Sequence, residues 1–182
     1  GYVEIKQDGR WCEAVKVQSI VGRNYDMFGL LFGVRNYAAF LPIAPDRGIP
    51  DDASDTVKEE AKEWGEDGHS SSWIAWEEIA TIDWKASGTQ LADRVFAYKP
   101  GADKPYSSFG WANHLTEEDY ELLSRGETIE RYDPFDGERV RYRREVQKAS
   151  DALSTDWTRL FEQMKQLAAN ESLVRLVVWF DN

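Results

Sequence analysis

The sequence predicts an α+β fold, a single compact domain over residues 1–182 in which a mixed sheet surrounds a central C-terminal strand and carries packed helices. Three observations carry that reading. Residues 173–180 are apolar on both faces, with Val174, Leu176, Val178 and Phe180 on one and Leu173, Arg175, Val177 and Trp179 on the other, as an interior strand requires. Trp157, Leu160, Phe161, Met164, Leu167 and Ala168 recur at helical spacing and form one apolar stripe. The remaining helix and strand signals do not alternate regularly, which argues against a parallel α/β sheet.

The elements follow in order. Tyr2, Val3 and Ile5 precede Asp8-Gly9, and Trp11, Ala14 and Val15 follow; Asp-Gly between extended segments signals a hairpin. Asn24 can cap a helix over residues 24–33, with Asp26 suited to its first turn and Tyr25, Phe28 and Phe32 on one face. Gly29 and Gly33 weaken that helix, and such a pair implies close approach of another backbone. Ser54 caps a helix that carries Val57, Ala61 and Trp64 on one side and stops at Gly65. Thr116 and Asp119 form a capping box for a short helix bearing Leu115, Tyr120 and Leu123, which Gly126 ends. Ser154 or Thr155 caps the long stripe. Further strands are expected over residues 72–75, 82–84, 95–98 and 139–143. The loops at 41–53 and 86–105 contain Pro and Gly but are not polar linkers, so they predict functional loops on one domain rather than a domain boundary.

Composition narrows the function. Lys and Arg total 22 against 33 Asp and Glu, a formal net charge of -11, which excludes nonspecific binding to duplex nucleic acid. The longest apolar stretch, residues 28–34, is too short to span a bilayer, and the chain opens with no charged-then-apolar leader. A single cysteine, Cys12, fits a reducing cytoplasm, and the expected location is the cytoplasm of a bacterial host. Neither common phosphate-cradling glycine loop is present, nor a His-Glu-x-x-His helix or a Gly-x-Ser-x-Gly elbow. With two histidines, His69 and His114, and one cysteine, no zinc cluster can be assembled from Cys and His alone. No cofactor, metal ligand or catalytic residue is expected.

Three short stretches concentrate chemistry-bearing residues at element junctions: Arg23-Asn24-Tyr25 running on to Gly33-Val34-Arg35-Asn36, Arg47 to Asp52, and Gly68-His69-Ser70-Ser71-Ser72-Trp73. Arg175 is a charge on a covered sheet face, so it needs either a carboxylate partner or an anionic ligand. With Trp179, these stretches offer guanidinium groups, an imidazole, hydroxyls, amides and aromatic faces, an inventory suited to a planar anion such as a nucleotide. The candidate ligand-binding residues are Arg23, Asn24, Tyr25, Arg35, Arg47, His69, Ser70, Ser72, Trp73, Arg175 and Trp179. Each stretch also has a structural alternative: Arg47 pairing with Asp51 or Asp52 to pin a loop, His69 donating to a carbonyl, Arg23 and Arg35 as surface charges.

The order Arg23-Asn-Tyr, Gly33-Val-Arg-Asn, Arg47-Gly-Ile-Pro-Asp-Asp, His69-Ser-Ser-Ser-Trp-Ile, Asp83-Trp84 and Val174-Arg-Leu-Val-Val-Trp-Phe-Asp-Asn182 resembles a family of small uncharacterised proteins from bacteriophages and bacterial genomes. The resemblance implies a phage or prophage accessory protein acting in counter-defence. The expected activity is sequestration of a small anionic, nucleotide-like signalling molecule without chemistry. An acidic interaction module or DNA mimic that blocks a host defence protein is the second reading, and a small hydrolase or transferase using His69 the third. Self-association is left open.

Overall fold

The computed structural model describes residues 1–134, 136–170 and 173–181; Asn182, the last residue of the closing motif, lies outside them. A hairpin of β1 (Tyr2–Gln7) and β2 (Arg10–Lys16) is followed by α1 (Tyr25–Phe32), α2 (Asp55–Trp64), β3 (His69–Ala75) and α3 (Trp76–Ala80). Then come β4 (Ser87–Leu91), β5 (Val95–Tyr98), β6 (Ser107–Phe109), α4 (Glu117–Ser124), β7 (Ile129–Tyr132), β8 (Arg139–Arg143), β9 (Val146–Lys148), α5 (Thr155–Ala168) and β10 (Val174–Phe180). The class is α+β. The chain divides into two compact units: Gly1–Asn36, Phe40–Ala86 and Lys148–Asn182 form one, and Tyr37–Ala39 and Ser87–Gln147 the other.

The first unit is organised by β10. Its sheet has the order β2-β1-β10-β3, so β10 is an interior strand, and all seven of its residues are buried. The sheet is antiparallel rather than mixed. The last strand enters between β1 and β3 and runs opposite to both, so no parallel pair arises. One face of β10 packs Val177 and Trp179 with Tyr2, Ala53 and Val57, beneath α2. On the other side Phe180 meets Phe28 and Phe32 of α1, with ring centroids 4.9 and 5.8 Å apart. The α5 stripe supplies Trp157, Leu160, Phe161 and Met164 as buried residues.

Local signals explain where these elements start and stop. The β1–β2 loop is the two residues Asp8-Gly9, at φ 48° and 78°, the left-handed pair that a tight hairpin of this twist needs. Asn24 Oδ1 accepts from the Met27 N–H at 3.0 Å and caps α1. A Cβ at Gly29 would stand 2.9 Å from the Asn36 Cα, so the close backbone approach is between α1 and the loop that follows it. Residues 82–84 are a turn, not a strand. The Thr81 and Ile82 N–H groups donate back to Glu78 and Ile79 carbonyls at the end of α3, and Trp84 packs 6.1 Å from the Phe161 ring. Trp84 there packs against α5 instead of joining a ladder.

The second unit holds an antiparallel sheet of order β6-β5-β8-β7 and the two-stranded β4–β9 pair. Its core is Val95, Ala97, Leu115, Tyr120, Leu123, Ile129, Val140 and Tyr142, and the Thr116–Asp119 capping box starts α4 as the sequence predicts. Among the described residues, no helix is long and apolar enough to cross a membrane.

Candidate functional site

The first unit contains a cavity of about 380 Å³, within the range of small-molecule sites. Its walls are largely aromatic. Phe28 and Phe32 come from α1, Trp157 from α5, Trp179 and Phe180 from β10, and Trp64 from the end of α2. Each belongs to an amphipathic helix or to the interior strand, so the packing that forms the core also builds the cavity. The rings of the wall pack on one another: Phe28 meets both Trp157 and Phe180 edge-on, at 6.3 and 4.9 Å between centroids. The Trp157 side chain is 1% exposed, and its indole N–H has no hydrogen-bond partner among the described residues.

Charge enters at the rim. Arg23, Arg35 and Asp181 are the charged side chains that line the cavity, and Tyr25 and Gln18 accompany them. Asn24, besides capping α1, donates from Nδ2 to the Ala152 carbonyl at 2.9 Å, which holds the Arg23–Tyr25 segment in place. Arg35 Nη1 donates to the Tyr25 hydroxyl at 2.7 Å, with the guanidinium 4.8 Å from the ring centroid. Arg35 sits at φ 48°, a left-handed conformation that costs an L-residue on the order of 1 kcal/mol. The Asn36 side chain bonds Phe40 in both directions, Nδ2 to O at 2.8 Å and N to Oδ1 at 3.0 Å, and so pins the loop that imposes this conformation. Among the described residues no carboxylate forms an ion pair with Arg35; the cavity's one carboxylate among them, Asp181, pairs with Arg23 instead. Arg23 Nη2 reaches both Asp181 oxygens at 3.3 Å. A hydrogen bond to Tyr25, then the charge of Asp181, pushes the Arg23 guanidinium pKa up from its ordinary value. Both arginines therefore converge on the Tyr25 hydroxyl.

The other candidates are not brought to this cavity. Arg47 forks Glu78, Nη1 to Oε2 at 2.8 Å and Nη2 to Oε1 at 2.6 Å, and holds the Glu78 carboxyl below its usual range. Its loop is pinned to Glu78 rather than to Asp51 or Asp52, because Glu78 faces it from the first turn of α3. The Ser72 hydroxyl donates to the Ala44 carbonyl and accepts the Arg47 N–H. Trp73 packs under Arg47 at 5.1 Å. Arg175 finds the carboxylate partners that its burial requires: Nε donates to Glu4 at 2.8 Å and Nη1 to Asp52 at 2.8 Å, with the Trp11 ring 3.9 Å from its guanidinium carbon. Arg47, Ser72, Trp73 and Arg175 thus form an internal network. The expectation that Arg23, Arg35, Arg47, His69 and Arg175 share one concavity is corrected: the cavity takes Arg23, Tyr25, Arg35 and Trp179, and Asn24 positions them.

His69 is one ring removed. It pairs with Phe180 across the β3–β10 ladder, its ring is 6.4 Å from the Phe180 ring, and Nδ1 lies 3.0 Å from the Ser70 hydroxyl. Its Nε2 is buried and has no hydrogen-bond partner among the described residues. Ser70, at φ 48°, makes the irregular step where the ladder shifts register. The residues that sequence reasoning left out of the site include Phe28, Phe32, Trp64, Trp157 and Asp181. Their helical spacing marks the first four as core, and no local signal distinguishes a core face from a cavity wall. Compared with protein-family models, curated proteins and solved structures, the chain matches none.

Proposed function

We propose that the first unit reversibly binds a small anionic, nucleotide-like molecule, with its flat body between the aromatic walls and its anionic group at Arg35 and Arg23. One observation carries this reading. Arg35 is held on a strained backbone at the wall of an aromatic cavity, and no carboxylate among the described residues neutralises it. A half-buried guanidinium in that setting gains most from an incoming anion. Stacking contributes about 1–3 kcal/mol per aromatic face and each charge-assisted hydrogen bond about 1.5–3 kcal/mol. Two of each offset ordering costs well enough to reach micromolar affinity, about -8 kcal/mol.

Binding without turnover explains the residues, and for an accessory protein of the phage type its consequence is sequestration of a host signalling nucleotide. The test is direct. The protein is incubated with a panel of nucleotides, separated from free ligand, denatured, and the released material chromatographed. Intact nucleotide from the native chain and none from Arg35→Ala supports sequestration. A cleaved or rearranged product replaces it with an enzymatic reading, and no retained nucleotide overturns it.

A further inference from the structure

We infer that Asp181 makes the cavity selective for a single negative charge, so that it takes a phosphodiester in preference to a phosphomonoester; this rests on the nucleotide-binding reading above. Among the described residues, Arg23 and Arg35 contribute two positive charges to the cavity lining and Asp181 one negative, while the Gly1 amine, which also lines it, has its pKa lowered by burial to about 5 and is uncharged at pH 8. Arg35 carries the charge left unneutralised, and one anionic oxygen pair satisfies it. A second negative charge has two places to go. It can compete with Asp181 for Arg23, or it can sit beside the carboxylate.

Both routes bring the second charge close to Asp181, which directly follows the last strand of the sheet. Phe180, the residue before it, is buried and paired with His69 in the sheet. The Asp181 carboxylate is 48% exposed and its contact with Arg23 is long, so solvent screens the repulsion but does not remove it. A like charge about 6 Å away in such a setting weakens binding by about tenfold. A diester, with one charge spread over two oxygens, avoids that penalty and still accepts hydrogen bonds from the guanidinium pair at both oxygens. Asp181 acts here as a specificity-determining residue that disfavours dianions.

The experiment is isothermal titration at pH 8, where a phosphomonoester carries close to two charges. The probes are the 3′,5′-cyclic monophosphates and the 5′-monophosphates of adenosine, guanosine, cytidine and uridine, tested on the native chain, Asp181→Asn and Asp181→Ser. For the base that binds, the native chain favours the cyclic diester by about tenfold. Both variants reduce that preference to less than about threefold by tightening the monoester, with the melting temperature unchanged. A native preference for the monoester overturns the inference, as does a preference that survives in both variants; the nucleotide-binding reading stands in either case. Failure of all eight probes to bind the native chain overturns that reading together with this inference.

Discussion

Replacing Arg175 by alanine tests whether this residue holds the sheet together or holds a ligand. Arg175 is 4% exposed and Glu4 0% exposed, and they face each other in register on neighbouring strands at 2.8 Å. Among the described residues Glu4 has one other hydrogen-bond partner, the Ser54 N–H at 2.7 Å, which donates to its second oxygen. Without Arg175 the Glu4 carboxylate is a buried charge with one hydrogen bond, and breaking such a pair costs about 3–5 kcal/mol. The Asp52 arm adds little, about 0–1 kcal/mol, because that carboxylate is 61% exposed. The stacked Trp11 face adds about 0.5–2 kcal/mol. The expected loss for Arg175→Ala is therefore about 4 kcal/mol, dominated by Glu4. The double variant Glu4→Leu with Arg175→Met removes both charges and should lose much less than the single variant. Urea unfolding followed by tryptophan fluorescence and far-ultraviolet circular dichroism gives both values. A loss below about 1 kcal/mol for Arg175→Ala, or a double variant no better than the single, refutes the structural assignment and returns Arg175 to the ligand-binding candidates.

Three further outcomes follow from the same geometry. Gly29→Ala places a methyl 2.9 Å from the Asn36 Cα and should destabilise by about 1–3 kcal/mol in urea, while also weakening nucleotide binding because Asn36 anchors the Arg35 loop. Trp157→Ala should cost about 3–5 kcal/mol, whereas Trp157→Phe, which keeps an aromatic wall and removes an indole N–H with no partner among the described residues, should cost less than half of that by the same measurement. Arg175 holds the Asp52 carboxyl, and Arg47 the Glu78 carboxyl, below their ordinary values. Their contribution is thus complete above the unfolded carboxylate range and is lost as pH falls through the lower folded values. Melting temperature should fall as pH drops below about 4, with a shallower acid limb in Glu78→Gln.

The sequence by itself determined the elements whose signals are local. Caps at Asn24, Ser54, Thr116 and Ser154 accept from N–H groups three residues ahead, so chain neighbours decide them. The Asp8-Gly9 turn and the two-sided apolar β10 were legible for the same reason: backbone sterics and hydrophobic periodicity act within a few residues. The paired state of Arg175 was legible as a need, since a covered charge must be met, but not as a choice between carboxylate and ligand. Only the tertiary structure decided that Glu4, 171 positions away, meets it. It also decided that Arg47 and Arg175 belong to an internal network while Arg23 and Arg35, equally polar in sequence, converge on Tyr25. Trp157 and Phe28 show the limit most plainly. Their spacing buries them on helix faces, yet whether two such faces close on each other or leave about 380 Å³ between them depends on how α1, α5 and the end of β10 meet. That is set by packing between segments far apart in the chain, and no pattern within one segment encodes it.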